Sequence, residues 1–190
     1  MDKNRQVLLA SRPNGAPTAE NFELAEVDIP TPGENEMLLR TVYLSLDPYM
    51  RGRMNSEKSY AEPVPVGGVM EGGTVSVVEQ SNGGKFQEGD VLVGRCGWQD
   101  YAVSDGSSLS KVDPSVAPIS TALGVLGMPG MTAYSGLLRL GKPKEGETVV
   151  VAAASGAVGA NVGQIAKIKG CRAVGVAGGK EKCEFVVGEL

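Results

Sequence analysis

The sequence contains no histidine. This absence excludes, within the chain, hydrolytic triads that use a histidine base and catalytic zinc sites with imidazole ligands. The three cysteines, Cys96, Cys171 and Cys183, are widely spaced, so no Cys-x-x-Cys pair offers a structural zinc site. Their odd number and spacing are typical of free thiols in a reducing compartment, which predicts a cytoplasmic protein without a metal. Any chemistry must depend on a cofactor, on tyrosine or on residues outside these 190.

Long apolar runs and basic stripes are also missing. No apolar segment approaches the length of a membrane span, and the polar start at residues 1–5 is not followed by a signal-type apolar region. The net charge is −4, and no stretch interleaves basic with aromatic residues, so neither a membrane nor a nucleic-acid partner is expected. With 42% hydrophobic residues, the composition is that of a soluble globular protein with a core.

The most informative segment is residues 148–177. A valine-rich strand over residues 148–152 leads into a turn of small residues, then an amphipathic segment over 160–169 and a second short strand over 173–177. This order and spacing predict the first part of a β-α-β unit of the dinucleotide-binding type. The alternative is an ordinary α/β turn whose glycines serve packing only.

The turn itself departs from the strict Gly-x-Gly-x-x-Gly pattern, because Ala154 stands in the place of the first glycine. Gly156 is expected to let the backbone approach a pyrophosphate, and Gly159 and Gly163 to let the helix pack closely on the strand. Free N–H groups at the helix start then bind the anion. The predicted cofactor-binding residues of the turn are Ser155, Gly156, Ala157, Val158 and Gly159.

The end of the second strand indicates which nucleotide is bound. A site for NAD usually places an Asp or Glu there, whereas this chain has Gly178 and Gly179, followed by Lys180 and Lys182. A 2′-phosphate would meet positive charge and no carboxylate at the strand end, which favours NADP. The alternative is that both lysines are solvated residues at the start of a helix.

The remaining sequence predicts a β-rich front domain over residues 1–120 and a nucleotide-binding domain over 121–190. A helical stretch is predicted near residues 119–126 and a second helix from Met131 to Leu140. Six strands separated by Gly-, Pro- and Asn-rich turns suggest a small barrel, with candidate strands Gln6–Ala10, Phe22–Val27, Met37–Leu46, Gly72–Glu79, Asp90–Gly94 and Asp100–Val103.

Three segments in this order resemble the zinc-independent branch of the medium-chain dehydrogenase/reductase superfamily: residues 44–52 (LSLDPYMRG), 127–134 (GMPGMTAY) and 152–159 (AAASGAVG). This branch includes the prostaglandin reductases (leukotriene B4 12-hydroxydehydrogenases), plant alkenal double-bond reductases and bacterial curcumin reductases. The resemblance implies an α/β fold in which a GroES-like partial barrel is followed by an incomplete first β-α-β part of a Rossmann doubly wound sheet.

The resemblance also implies an activity. Members transfer a hydride from NADPH to the β-carbon of an α,β-unsaturated ketone or aldehyde, without zinc, and the α-carbon is then protonated. A small enone or alkenal substrate and a homodimer are therefore expected. Two alternatives stay open: a zinc-free quinone reductase, or a truncated chain that is not catalytic and at most binds nucleotide or a partner through an open sheet edge.

Site residues follow from the same resemblance. Tyr49 is expected to line the substrate cleft beside the nicotinamide and to donate to the substrate oxygen; the alternative is a packed tyrosine at a strand end. Met131 and Thr132 are expected to begin a helix and to meet the cofactor through their N–H groups and the threonine hydroxyl; the alternative is an ordinary helix cap. Lys182, preceded by Gly179, matches the lysine that binds the 2′-phosphate. The main catalytic tyrosine is expected beyond residue 190.

For three charged residues of the front domain, neither a catalytic nor a metal-binding role is predicted. The zinc branch has a Gly-His-Glu motif near the place where this chain has Val69-Met70-Glu71. Methionine cannot supply an imidazole ligand, so Glu71 is predicted to be a polar residue of the barrel rather than a metal ligand. Arg51 and Arg53 are predicted to be solvated or interface residues.

Overall fold

The computed structural model describes residues 3–57 and 59–190. The chain divides into two compact units, Met1–Ser120 and Thr121–Leu190. In the described ranges, no helix combines the length and the apolar character that crossing a membrane requires.

The first unit is built mainly from short antiparallel strands. All six predicted strands are present, with ends displaced by up to three residues, and they are joined by a further two-residue strand and a five-residue helix that the sequence did not predict. The strands are β1 (Lys3–Leu9), β2 (Phe22–Asp28), β3 (Met37–Leu44), β4 (Thr74–Ser81), β5 (Val91–Gly94), β6 (Tyr101–Ser104) and β7 (Ser110–Lys111), and helix α1 is Tyr49–Arg53.

These strands form two sheets. β1 pairs with β2, and the larger sheet has the order β6-β3-β4-β5-β7 with antiparallel neighbours throughout. β1 also bonds to the loops that precede β4 and β6: Val7 N donates to Trp98 O at 2.9 Å, and Met70 N donates to Val7 O at 2.9 Å. The first unit is thereby closed on one side, as expected of a partial barrel.

Alternation along the strands places one set of apolar side chains inside the first unit. One buried cluster lies on the five-stranded sheet and includes Met37, Leu39, Val78 and Leu92. A second cluster joins β1 to the segment after α1 and consists of Leu9, Met54, Val64 and Met70, with Phe22 and Trp98 packed against it. This second cluster anchors the C-terminal end of α1, and therefore helps to fix the position of Tyr49.

The second unit contains the predicted β-α-β arrangement. Strand β8 (Thr148–Ala152) leads into α3 (Ala157–Ile168), which returns the chain to β9 (Arg172–Val176), followed by α4 (Lys180–Gly188). β8 and β9 pair in parallel, with Thr148 opposite Arg172 and Ala152 opposite Val176. The prediction of a parallel strand–helix–strand unit is confirmed. A small core holds it together, made of Leu137, Ala166 and Cys171 with partly buried neighbours that include Val162 and Ile165.

The two helical predictions before β8 were inaccurate. The first stretch ends earlier, as a 3-10 turn at Ile119–Leu123, and helix α2 begins at Met128 rather than Met131, running over Met128–Tyr134 before a π-helical turn at Ser135–Gly141. Gly130 explains the early start, because its N–H donates to Gly124 O at 3.1 Å and a Cβ there would lie 1.7 Å from Val125 O. Only glycine permits this contact between the helix start and the preceding turn, which is a tertiary effect.

Candidate functional site

The turn between β8 and α3 leaves the start of the helix open. Gly156 caps α3 with extended backbone and, as a glycine, supplies no side-chain cap. The first hydrogen bond of the helix runs from Ala160 N to Gly156 O at 2.8 Å, so the N–H groups of the first helical residues point out of the helix end. Gly156 donates its own N–H to Ala153 O at 2.9 Å, inside the turn. The backbone N–H groups open to an anion are therefore those of Ala157, Val158 and Gly159, which follow Ser155 and Gly156 in the turn.

Gly159 has a packing role that Gly163 does not share. A Cβ on Gly159 would lie 2.3 Å from Ala153 O, a distance that real side chains do not reach, so this position requires glycine. A Cβ on Gly163 would have no atom within 4 Å. Gly163 instead faces a cavity of about 380 Å³ lined by residues of α3, β9 and α4. The prediction of close packing is correct for Gly159 and wrong for Gly163.

Ala154 replaces the first glycine because the neighbouring strand makes room for its methyl group. Ala154 is buried, and its N–H donates to Val176 O at 3.1 Å, which ties the turn to β9. Gly175 lies beside it, and a Cβ on Gly175 would come within 2.9 Å of Ala154 Cβ. The preceding residue, Ala153, has φ of 50°, a left-handed conformation that costs a residue with a side chain about 1–2 kcal/mol. The turn therefore keeps a defined shape at some energetic cost.

The end of β9 presents positive charge. Gly179 caps α4 with φ 84° and ψ 162°, a conformation restricted to glycine. Lys180 forms an exposed pair with Glu184 at 3.6 Å. Lys182 is exposed and, in the described part of the chain, takes part in no ion pair. Of the two lysines, Lys182 is the one free to meet a phosphate.

Met131 and Thr132 do not begin a helix. Met131 lies in the second turn of α2, and its N–H donates to Gly127 O at 2.9 Å. The Thr132 hydroxyl donates to Met128 O at 2.7 Å. The predicted donation by the Met131 N–H was therefore wrong, because this donor is already used within the helix. Both side chains are exposed, and contact with a cofactor through them stays a prediction.

In the first unit, Tyr49 lies at the start of α1 rather than at a strand end. Pro48 caps this helix, and Met50 N donates to Asp47 O at 3.1 Å, so the Asp-Pro pair forms the turn that precedes it. Tyr49 is partly buried, and burial is the main cause that raises its pKa; Glu71 and Asp47 act in the same direction, and Arg95 and Arg53 oppose them. The phenol is therefore neutral near pH 7 and keeps its proton for donation.

Arg53 is buried, which contradicts the prediction of a solvated or interface residue. Its side chain is 3% exposed, and its Nε lies 2.6 Å from Glu71 Oε1. Its Nη1 donates to Ala61 O at 3.2 Å, and its guanidinium carbon lies 5.7 Å from the ring centre of Tyr49 and 4.4 Å from that of Tyr60. Glu71 is thus a polar partner in the first unit, as predicted. No pattern in the sequence linked residues 53 and 71, because the pair joins a short helix to a distant loop.

Arg51, two residues earlier on α1, is a different case. It is only partly buried, and it donates to Gly15 O at 2.9 Å and to Pro13 O at 3.1 Å, which ties the helix to the loop after β1. Within residues 3–57 and 59–190, no group of three or more cysteine, aspartate and glutamate side chains is arranged to hold a metal ion.

Comparison with known proteins gives the family. Residues 5–112 match the N-terminal domain of oxidoreductase. The chain is 64% identical over 181 residues to the NADPH-dependent curcumin reductase of Escherichia coli (strain K12), a match that covers 95% of this chain and 52% of that protein. It is 44% identical over 188 residues to the 2-alkenal reductase (NADP(+)-dependent) of Nicotiana tabacum, covering 96% of this chain and 55% of that protein.

A solved structure agrees over the same extent. The crystal structure of CurA in complex with NADPH from Vibrio vulnificus matches with a TM-score of 0.92 and 61% sequence identity, over 97% of this chain and 55% of that chain. The chain spans about half the length of the relatives that it matches. The α/β fold class predicted from the sequence, with a β-rich front and the first part of a nucleotide-binding sheet, is confirmed. The chain belongs to the oxidoreductase family that carries this N-terminal domain, within the medium-chain dehydrogenase/reductase superfamily.

Proposed function

We propose that the protein is an NADPH-dependent reductase of the C=C bond of α,β-unsaturated ketones and aldehydes, with residues 1–120 as its substrate domain and 121–190 as part of its NADP-binding domain. The observation that carries this proposal is the geometry at the carboxyl ends of β8 and β9. There, the open start of α3 is combined with a glycine-capped α4 that bears Lys182, which forms no ion pair among the described residues. The similarity to an NADPH-dependent curcumin reductase and to an NADP(+)-dependent 2-alkenal reductase supports the same cofactor and the same class of reduction.

The residues present fit NADPH. The open N–H groups at the start of α3 suit the pyrophosphate, and a side chain at Gly159 would displace the turn that positions them. A Cβ on Gly178 or Gly179 would have no atom within 4 Å, so the end of β9 leaves space for the ribose and its 2′-phosphate. Lys182 offers that phosphate a charge-assisted hydrogen bond.

The substrate side of the reaction is assigned to Tyr49. When bound, NADPH supplies the hydride that the β-carbon accepts, and a proton is added to the α-carbon, so that the C=C bond becomes a single bond. Between the addition of the hydride and that of the proton, negative charge lies on the carbonyl oxygen. The neutral Tyr49 phenol donates a hydrogen bond to that oxygen and stabilises the charge without a metal.

The experiment combines binding and turnover. Purified protein is titrated with NADPH and with NADH by cofactor fluorescence, and is then mixed with NADPH and a 2-alkenal while NADPH absorbance is followed. We expect tighter binding of NADPH than of NADH, and alkenal-dependent consumption of NADPH. Equal affinities would contradict the choice of NADP. Reduction of a quinone without reduction of the alkenal would favour the quinone reductase, and binding without any turnover would favour a non-catalytic chain.

Substitution of Tyr49 tests its assigned role. Tyr49→Phe removes the phenolic donor and should lower kcat on the order of a hundredfold, which is the usual cost of one donor to a developing oxyanion. The affinity for NADPH should not change. Tyr43→Phe is the matched control, since Tyr43 is an exposed tyrosine on β3 in the same unit. An equal loss in both variants would contradict the assignment.

A further inference from the structure

The ion pair between Arg53 and Glu71 is unusual because it is nearly removed from water. The Arg53 side chain is 3% exposed, and that of Glu71 is 30% exposed. Moving a guanidinium out of water is costly, and pairing alone seldom returns a net gain over an apolar pair of similar size. The role of Arg53 therefore depends on its contacts other than the ion pair.

Those contacts join three separate segments of the first unit. Arg53 belongs to α1, Glu71 lies shortly before β4, and the carbonyl of Ala61 and the ring of Tyr60 belong to the loop between them. Tyr60 is 84% exposed, yet its ring centre lies 4.4 Å from the guanidinium. The same guanidinium lies 5.7 Å from the ring centre of Tyr49, at the other end of α1. The flat guanidinium is suited to such ring contacts.

We propose that Arg53, anchored by Glu71, is a positioning residue for Tyr49: it holds the Tyr49 ring and the Tyr60 loop in fixed places, so that the Tyr49 phenol is presented to the carbonyl oxygen of the substrate. This inference rests on the role of Tyr49 in the proposed function. Arg53 itself is enclosed by Glu71, Ala61 and the two rings, and acts on the reaction through Tyr49.

The charges around Tyr49 support an effect of geometry rather than of net charge. Two cations, Arg53 and Arg95, and two anions, Glu71 and Asp47, act on the phenol. Arg95 is exposed and lies 6.0 Å from the ring centre, so it provides positive charge without being held in place by burial. Arg53 lowers the pKa of Tyr49 and Glu71 raises it, so the two charges of the pair oppose each other at the phenol, whereas the contact between the buried guanidinium and the ring is geometric.

The test uses Arg53→Met and Arg53→Lys in the full chain, read by turnover and by NMR of tyrosine labelled with ¹³C at the phenolic carbon. Tyr49→Phe assigns the Tyr49 signal. Arg53→Met should move that signal, raise the pKa of Tyr49 because Glu71 and Asp47 then act with less opposition, and lower kcat for the alkenal about tenfold or more. The dissociation constant of NADPH should stay the same. Arg53→Lys keeps the charge, so it should restore the titration of Tyr49 but only part of kcat.

Arg51→Met is the matched control, because Arg51 lies on the same helix and bonds to the loop at Pro13 and Gly15 instead of to the tyrosines. It should leave the Tyr49 signal in place. The inference is overturned if Arg53→Met leaves the Tyr49 signal and its titration at the values of the unmodified protein. It is also overturned if Arg51→Met moves them equally.

A second variant keeps the test decisive should Arg53→Met fail to fold with Glu71 unpaired. Arg53→Met combined with Glu71→Leu removes both charges, and such apolar replacements of buried pairs usually preserve folding. The double variant should fold, yet still show a displaced Tyr49 signal and a lowered kcat. A wild-type Tyr49 signal in the folded double variant would reject the inference. The NMR readout needs no turnover, so it decides this point even where absence of alkenal reduction contradicts the proposed function.

Discussion

The glycines of α3 differ in whether a side chain can replace their hydrogen. Gly159→Ala would place a methyl group 2.3 Å from Ala153 O, so the turn must move. We expect a loss of about 1–3 kcal/mol in unfolding free energy, typical of overpacking, together with a weaker affinity for NADPH. Urea unfolding and fluorescence titration measure the two effects.

Gly163→Ala is the control for this prediction, since it lies on the same helix with no atom within 4 Å of the added methyl group. It should stabilise the protein by roughly 0.5–1 kcal/mol, because alanine is the better helix former. NADPH affinity should be unchanged. A Gly159→Ala variant that behaves like Gly163→Ala would show that the turn is not held by this contact.

Lys182 carries the second prediction at this scale. Lys182→Met removes the cation proposed to meet the 2′-phosphate and should weaken NADPH binding about ten- to a hundredfold, given a charge-assisted hydrogen bond of roughly 1.5–3 kcal/mol. NADH binding should not change, because NADH lacks that phosphate. Lys180→Met removes a lysine that already pairs with Glu184 and should have the smaller effect. Parallel losses of NADPH and NADH affinity would contradict this role for Lys182.

Secondary-structure elements were predictable where local patterns decide them. Alternating apolar residues identified the strands of the first unit, and the valine-rich run with small turn residues identified β8 and the start of α3. Helix α1 was missed because five residues with Gly52 among them carry no helical period. The start of α2 was misplaced because the contact of Gly130 with the preceding turn depends on tertiary packing. Patterns along the chain do not report such contacts.

Strand β1 is joined to the residue before β6 by an ion pair that depends on pH. Arg5 of β1 bonds Asp100, just before β6, through Nε at 2.7 Å and Nη2 at 3.2 Å. The hydrogen bond from Arg5 lowers the pKa of Asp100. Because the pKa of Asp100 is lower in the folded state, its charge stabilises the protein at any pH above the pKa of the unfolded chain, about 3.9. This contribution is lost as the pH falls through the pKa of the folded state.

Asp100→Asn should therefore cost up to about 1 kcal/mol of unfolding free energy at neutral pH, since the pair is partly exposed. The difference from the unmodified protein should shrink as the pH falls below about 4. Urea unfolding across this range measures it. The double variant Arg5→Met/Asp100→Asn isolates the coupling of the pair. A difference that stays constant down to acid pH would show that the carboxylate charge has no part in it.

At the scale of the molecule, the residues proposed to bind the cofactor could be named from the sequence, whereas the surroundings of Tyr49 could not. Gly156, Gly159 and Lys182 belong to one continuous stretch whose order and spacing are characteristic of nucleotide binding. The surroundings of Tyr49 depend on a contact between residues 53 and 71, and a buried ion pair between distant segments leaves no periodic trace. Resemblance to the family indicated Tyr49 as a residue of the substrate cleft, whereas only the folded structure reveals which residues contact it.

The two units also differ in how much apolar material holds them. The buried core of the first unit comprises two clusters that include Met37, Leu39 and Leu9, whereas that of the second centres on Leu137, Ala166 and Cys171 beneath a two-stranded sheet. Exposed valines on this sheet, Val150 and Val176, add little to its stability. Amides of β8 and β9 are thus expected to exchange hydrogen faster than those of β3 and β4.

NADPH should reverse part of this difference, because a ligand that binds only the folded state stabilises it by about 2.7 kcal/mol at a hundred times its dissociation constant. Hydrogen exchange of the full chain, with and without NADPH, should show the gain at β8, the start of α3 and β9. Strands β3 and β4 serve as the internal reference. Lys182→Met at the same NADPH concentration should show a smaller gain, and NADH should not discriminate between the two proteins. Bound ligand protects from exchange the segment that must fold to hold it. Protection gained only at β3 and β4 would therefore place the nucleotide elsewhere and contradict its assignment to the turn at 153–159.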